Sequence, residues 1–275
     1  MSSLSKITKE LLASYNLFPK KRLGQHFLVD PMVLERIIEA AELNKDDVVL
    51  EIGTGLGILT AELAKRAKKV VSVDVDQDMI DISRQVLKDF DNVELIRADV
   101  LKYLDRRGVL QYAPKKIIGN LPYYITAPII EKIFCLPKGD DDHPRLLRAV
   151  LMLQKEVAQR MAANPGSKQY GSFSVFVQFH AEVELLSLVS KSSFIPWPEV
   201  SSAIVVLSPH KTPRYKVKDE KLFFDIVHKA FQQRRKKLRN SLKDFKLENA
   251  GVDLNKRPEQ LSIEDFAALA NSGPA

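Results

Sequence analysis

The sequence has a single cysteine among its 275 residues, Cys135, so neither an internal disulfide nor a cysteine-based zinc site can form. No apolar run approaches the roughly 20 residues that span a bilayer, and no signal-peptide core is present. Glu10 and the absence of arginine before Arg22 argue against a mitochondrial transit peptide, which leaves the cytoplasm as the expected compartment. The motifs of covalent or metal catalysis are missing as well: there is no G-x-S-x-G, no H-E-x-x-H and no cysteine cluster. Acidic residues fall far short of the basic ones in one place above all. Residues 211–246 hold nine lysines and four arginines against Asp219, Glu220, Asp225 and Asp244, a net +9, while the whole chain carries +7, so the other 239 residues sum to about −2. Such a local excess is either a solvated face or a surface for a polyanion. The rest of the composition (45% hydrophobic, 28% charged) is that of a globular chain long enough for one large domain and a small one.

What the sequence does contain is organised around Val48 to Asp76. Val48-Val49-Leu50 is the short apolar run of a buried parallel strand. Gly53, Gly55 and Gly57 turn the chain into a helical pattern with Leu59, Leu63 and Ala67, and a second strand, Val70 to Val73, ends on Asp74. The glycines follow G-x-G-x-G, not the G-x-G-x-x-G that seats a dinucleotide pyrophosphate on a helix N-terminus. Glu51, just before the first glycine, suits a cationic ligand better than a phosphate. S-adenosylmethionine fits both features, with Asp74 accepting from the ribose diol. A nucleotide site of another sort, or a βαβ unit without a ligand, remains open on this motif alone.

Ahead of this unit, Leu4, Ile7, Leu11 and Tyr15 are spaced as an amphipathic helix. Lys20, Lys21 and Arg22 form a basic step, and Asp30-Pro31 reads as an N-cap followed by proline at the first helical position. His26 reads as a hydrogen-bonded loop histidine; no second histidine lies near it to form a metal site. Beyond it, Val93 to Ile96 is a third strand, and Asp99 at its end either caps a helix or receives an adenine amine. Lys116 to Gly119 runs into Asn120-Leu121-Pro122-Tyr123, which places an amide acceptor, backbone carbonyls and a flat ring together. The lone pair of an exocyclic amine is delocalised into its base. Two acceptors on its hydrogens, the Asn120 side chain and the carbonyl of Leu121, would draw the nitrogen towards a tetrahedral geometry while Tyr123 stacks on the base. Taken alone the tetrapeptide is equally a proline turn.

Val150 to Leu153 is a further strand, followed by a helix from Lys155 to Ala162. In residues 173–189 helix and strand are not distinguishable over the first half. Phe194 and Trp197 lie in a proline-stiffened loop, as a second stacking wall or as core. Pro209 to Pro213 reads as a linker, which gives domains of 1–209 and 210–275. Beyond it Leu222, Phe223, Ile226, Val227, Ala230 and Phe231 form an amphipathic helix that is expected to continue into the basic run 232–243, and Ser262 with Asp265 starts a last helix.

Taken in order, GQHFL (24–28), EIGTGLGILT (51–60), Asp99, NLPY (120–123), LQKEVAQRM (153–161), FIPWPEVSSAIVVL (194–207) and QQRRKKLRNSL (232–242) make the chain resemble the rRNA adenine dimethyltransferases over nearly its full length. Within that family SSAIVVLSPH and QQRRKKLRNSL favour the small-subunit branch over the large-subunit erythromycin-resistance methylases. The resemblance implies an α/β, Rossmann-like S-adenosylmethionine-dependent methyltransferase domain with a small C-terminal all-α domain. It implies dimethylation of two adjacent adenosines in a hairpin near the 3′ end of small-subunit rRNA, by a monomer. Gln25, His26 and Leu28 would line the cofactor site; Gly53 would contact its methionine part, Asp74 the ribose and Asp99 the adenine. Asn120 would bridge cofactor and target amine, and Tyr123 and Phe194 would sandwich the flipped base. The basic residues Lys20, Lys21, Arg22, Arg234, Arg235, Lys236, Lys237 and Arg239 are then expected on rRNA phosphates. Two positions depart from the family: Asp74 stands where glutamate is usual, and Trp197 where proline is common. A non-catalytic rRNA-binding factor on the same fold is the alternative from another class.

Overall fold

The computed structural model describes residues 3–105, 112–136, 146–245, 247 and 250–272. In chain order the helices are α1 (Ser3–Ser14), α2 (Pro31–Ala41), α3 (Ile58–Ala64), α4 (Gln77–Val86), α5 (Val100–Leu104), α6 (Thr126–Phe134), α7 (Lys155–Met161), α8 (Ser172–His180), α9 (Glu220–Gln232), α10 (Leu238–Ser241) and α11 (Ile263–Ser272). The strands are β1 (Phe27–Leu28), β2 (Val48–Ile52), β3 (Lys69–Asp74), β4 (Val93–Arg97), β5 (Lys116–Asn120), β6 (Arg148–Gln154), β7 (Ala181–Val189), β8 (Phe194–Ile195) and β9 (Ser202–Pro209). Packing divides the chain into two units, Met1–Lys155 with Glu184–Ser208, and Glu156–Val183 with Pro209–Ala275.

The first unit is built on a sheet of order β4-β3-β2-β5-β6-β9-β7. β4, β3, β2, β5 and β6 run parallel, and β9 is antiparallel to β6. The all-apolar stretches expected of parallel strands are buried: Val49, Leu50, Val70, Val71, Ile117, Ile118 and Leu151 are at most 1% exposed. α2 begins as its sequence dictates, with the Asp30 carboxylate accepting from the Met32 and Val33 N–H groups and Pro31 at the first helical position. Its Val33, Ile37, Ile38 and Ala41 join Val49, Val70, Ile118 and Val150 in one core cluster. The chain leaves β2 to build β3 and β4 on one side and then returns to build β5 and β6 on the other. The crevice beyond β2 and β5 is therefore the switch point where open α/β sheets bind ligands.

Gly119 shows how tightly these two strands are fitted. A Cβ there would sit 2.5 Å from the Ile52 carbonyl oxygen, a backbone atom that cannot step aside. Gly119→Ala is expected to destabilise the fold by about 3 kcal/mol. Gly171, whose added Cβ would meet nothing within 4 Å, is the control for the same substitution. Urea midpoints of the two variants check this; equal midpoints would contradict it.

The second unit has its own core, in which Tyr170, Val175, Phe223, Ile226, Val227, Leu238 and Phe266 are buried together. Two expectations change here, and one open reading is decided. The domain boundary expected at 209/210 is incomplete, because residues 156–183 bury Tyr170 and Val175 against α9 and α11 residues and so belong with the C-terminal segment. The ambiguous stretch 172–180 is helical, begun by a turn in which Ser174 Oγ accepts from the Gly171 N–H at 3.0 Å and donates to the Arg160 carbonyl at 2.6 Å. The basic run does not continue the helix: 233–237 is a turn between α9 and α10, closed by Lys236 N–H on the Gln233 carbonyl at 2.8 Å. Between Phe231 and Leu238 there is no apolar side chain to bury, and four successive cations repel one another, so nothing holds that segment helical. α11 starts in the expected capping box, with Ser262 and Asp265 exchanging backbone-to-side-chain bonds of 3.0 and 3.1 Å.

Candidate active site

The ends of β2 and β5 bring the two most informative motifs together. Ile52 is paired with Gly119, which sets Gly53 level with Asn120; a Cβ on Gly53 would lie 3.4 Å from the Asn120 carbonyl oxygen. Gly53 also holds φ +86°, a left-handed conformation that glycine adopts without strain. Beside this pair opens a cavity of about 250 Å³. Gln25, His26, Leu28, Gly53, Asp74, Asp99 and Asn120 all line it, although they come from five separate stretches of chain.

Each polar group is oriented by a specific bond. Asp74 accepts from the Gly55 N–H at 3.1 Å and the Asp76 N–H at 2.9 Å, while burial pushes its carboxyl pKa up. Asp99 caps α5 through the Leu101 N–H at 2.8 Å and also lines the cavity, so the capping role does not take it out of the site. Asn120 donates its amide N–H to the His26 carbonyl at 3.0 Å. A carbonyl only accepts, so the amide nitrogen must face it and Oδ1 remains as an acceptor. The His26 ring donates from Nδ1 to the Pro196 carbonyl at 2.8 Å and stacks on Tyr123, with centroids 5.8 Å apart.

A clamp fastens the N-terminal segment over the cavity. Lys20 Nζ lies 2.6 Å from both Asp76 Oδ1 and Asp78 Oδ2, and Gln25 bridges Asp76 Oδ2 at 2.7 Å to the Lys20 N–H at 2.8 Å. Burial works to raise the Asp76 pKa, but the bonds from Lys20 and Gln25 outweigh it and hold the carboxyl below its usual range. Lys20, expected on phosphate, is therefore engaged by two carboxylates; Lys21 and Arg22 are the exposed cations of that step.

Other expected residues are placed differently. Phe194 is 0% exposed and belongs to the core cluster that contains Val33 and Ile204, so it presents no open face to a base. Tyr123 is half-buried, outside the cavity lining, with its hydroxyl 2.6 Å from Ser202 Oγ. Glu51 does not face a ligand. It is fully buried under the glycine turn, where Oε2 accepts from Thr60 at 2.6 Å and Ser72 at 2.5 Å. In the second unit Arg234 is tied to the Ser167 and Lys168 carbonyls at 3.3 and 2.7 Å, whereas Arg235, Lys236, Lys237 and Arg239 are exposed. Val75, Leu101 and Tyr124 line the cavity without a motif of their own. Each follows Asp74, Asp99 or Tyr123 by one or two positions, and that placement beyond a strand end is the signal that finds them.

The lining defines the ligand's chemistry. Among the described residues no lysine or arginine lines the cavity, and so none of them is there to hold a phosphate. The charged groups are the carboxylates of Asp74 and Asp99, set among Leu28, Ile52, Val73 and Met79. That donor set fits a phosphate-free, cationic nucleoside with a diol, and the Gly53 cradle leaves room where a Cβ would narrow it. Asp74→Ala is expected to weaken S-adenosylmethionine binding about 10- to 100-fold, the value of charge-assisted hydrogen bonds to a diol. Asp74→Glu should stay within about threefold of wild type. Calorimetric titration checks both, and unchanged binding by the alanine variant would remove Asp74 from the site.

A mixed, mainly parallel sheet with this strand order and a crevice at its switch point lined by carboxylates is that of an S-adenosylmethionine-dependent methyltransferase. The family model described as ribosomal RNA adenine dimethylase matches residues 17–273, and the chain belongs to that family. It is 44% identical over 274 residues to the ribosomal RNA small subunit methyltransferase A of Clostridium botulinum, covering 96% of this chain and 97% of the relative. The protein of the same name from Bacillus pumilus is 42% identical over 282 residues, covering 96% and 94%. Among solved structures, a dimethyladenosine transferase from Plasmodium falciparum matches with TM-score 0.75 and 29% identity over 89% of this chain and 96% of that one. The 23S rRNA methyltransferase ErmE matches with TM-score 0.69 and 26% identity over 90% and 98%. The chain is an rRNA adenine dimethyltransferase that uses S-adenosylmethionine.

Proposed function

We propose that this enzyme dimethylates the N6 amines of two adjacent adenosines in a hairpin near the 3′ end of 16S, small-subunit, rRNA, as part of small-subunit maturation. The observation that carries the chemistry is Asn120, whose amide is pinned by the His26 carbonyl so that Oδ1 stays free as an acceptor beside the cavity. S-adenosylmethionine, when bound, supplies a methyl group activated on a sulfonium. Gly53, Asp74 and Asp99 hold the donor by shape, diol and adenine amine. Asn120 Oδ1 accepts a hydrogen bond from the target amine and aims its lone pair, and Tyr123, backed by the His26 ring, stacks on the base. No residue need act as a base before transfer, because the amine proton is lost to solvent afterwards. The target base has to be unstacked to reach Asn120, which is easiest in a loop.

The name of the Clostridium botulinum and Bacillus pumilus relatives supports the small-subunit target. Lys21, Arg22, Arg235, Lys236, Lys237 and Arg239, all exposed, are assigned to rRNA phosphates. Among the described residues no helix is long and apolar enough to cross a membrane. A cytoplasmic monomer is the working form. Transfer of labelled methyl from S-adenosylmethionine to unmethylated small subunits, large subunits and free rRNA in parallel tests this. Label in small-subunit rRNA is expected; label in large-subunit rRNA alone would move the enzyme to the branch of the 23S methyltransferases.

A further inference from the structure

We propose that Trp197 is a stacking subsite for the unpaired nucleobase next to the target adenine, a proposal that rests on the reading above of a looped rRNA substrate with adjacent adenosines. Trp197 is 70% exposed, while the backbone carrying it is pinned on both sides. Ahead of it, β8 pairs with β1, Phe194 is buried, and the Pro196 carbonyl accepts from His26. Behind it, Pro198 is buried, the Glu199 carbonyl accepts from Lys191 Nζ, and the Ser201 carbonyl accepts from the Lys155 N–H at 3.0 Å. A large aromatic displayed on a fixed loop gains little for folding, and it is already ordered for a partner.

The position of the loop selects that partner. The histidine that holds Pro196 through Nδ1 also stacks on Tyr123 and fixes the Asn120 amide through its carbonyl, so the indole lies one residue from the group that orients the reacting centre. The target base is taken by Asn120 and Tyr123, and Trp197 stands outside the donor cavity on the far side of the Pro196 carbonyl that holds His26, so its place is for the neighbour. Exposed Lys21 and Arg22 belong to the same N-terminal segment as His26 and suit the flanking phosphates. An indole face stacks on any base, and a second adenosine is always adjacent in the proposed substrate.

The chain has one tryptophan, so its emission reports this subsite alone. Titration with an unmethylated small-subunit hairpin RNA should quench the emission with the same midpoint as an anisotropy measurement of binding. Trp197→Ala should raise KM for the RNA about tenfold, with S-adenosylmethionine affinity unchanged, and Trp197→Phe should recover most of the loss. Emission unaffected at saturating RNA, or a KM for the alanine variant within twofold of wild type, would overturn the proposal. So would quenching by whole small subunits but not by the bare RNA, which would assign the indole to a ribosomal protein surface. If the RNA binds and quenches but no methyl is transferred to any rRNA, the stacking subsite stands and the proposed reaction fails.

Discussion

Asn120→Ala is expected to lower the methyl-transfer rate about 10²- to 10³-fold while RNA affinity changes little. That magnitude is typical of removing one preorganised polar group from a reacting centre. The target amine is a poor nucleophile in its planar form, and an acceptor on its hydrogen is what the protein contributes to making it reactive. Asn120 is suited to this because the His26 carbonyl, 3.0 Å from Nδ2, forces the amide into one orientation. The same substitution leaves that carbonyl with one donor fewer, at about 1 kcal/mol of stability, too little to unfold the domain. Single-turnover transfer, measured at saturating RNA with binding followed separately, checks it. A variant within threefold of the wild-type rate would show that the methyl group moves without this acceptor.

Glu51 governs the second large effect, which is on stability. Its carboxyl is fully buried, and burial drives its pKa up from 4.5 to about 8, opposed by hydrogen bonds from Ser72 and Thr60. Thr54 completes the chain of hydroxyls by bonding Ser72 at 2.6 Å, whereas Oε1 has no partner among the described residues. Because the folded pKa is raised, the folded state keeps a proton that the unfolded chain releases. The stability tied to that proton is fully present below pH 4.5 and is lost as pH rises through about 8. Over that window the loss is on the order of a few kcal/mol. Glu51→Gln mimics the neutral acid, keeps an acceptor for Thr60 and Ser72, and does not titrate. Between pH 5 and pH 9 its stability relative to wild type should therefore shift in the variant's favour by on the order of a few kcal/mol. Urea denaturation of both proteins at the two pH values measures the shift; a gap independent of pH would mean that Glu51 is ionised in the fold.

These two residues also mark how far the sequence was legible. Asn120 and Asp74 could be read because each ends an apolar strand, and strand ends of a parallel sheet converge on one crevice whatever else the chain does. The G-x-G-x-G turn was legible for the same reason: its meaning is local. Glu51 was misread because its partner Ser72 lies 21 residues away on the neighbouring strand, where register alone brings them together. Lys20 was misread for the same reason, since Asp76 and Asp78 are 56 and 58 residues distant. Phe194 and Trp197 sit three apart in one loop, and only packing decides that the first is buried and the second exposed. Residues 156–183 carry no local mark of the unit they join, because their core partners begin beyond Pro209.

The most direct measurement is the mass-spectrometric nucleoside analysis of small-subunit rRNA after reaction with S-adenosylmethionine and this enzyme. N6,N6-dimethyladenosine at two adjacent positions, absent from RNA treated with Asn120→Ala, is the expected result. Methyl groups on a ring nitrogen or a ribose hydroxyl would contradict the assignment of Asn120 and its cavity to the N6 amine, and an end product that carries one methyl per adenosine would contradict dimethylation.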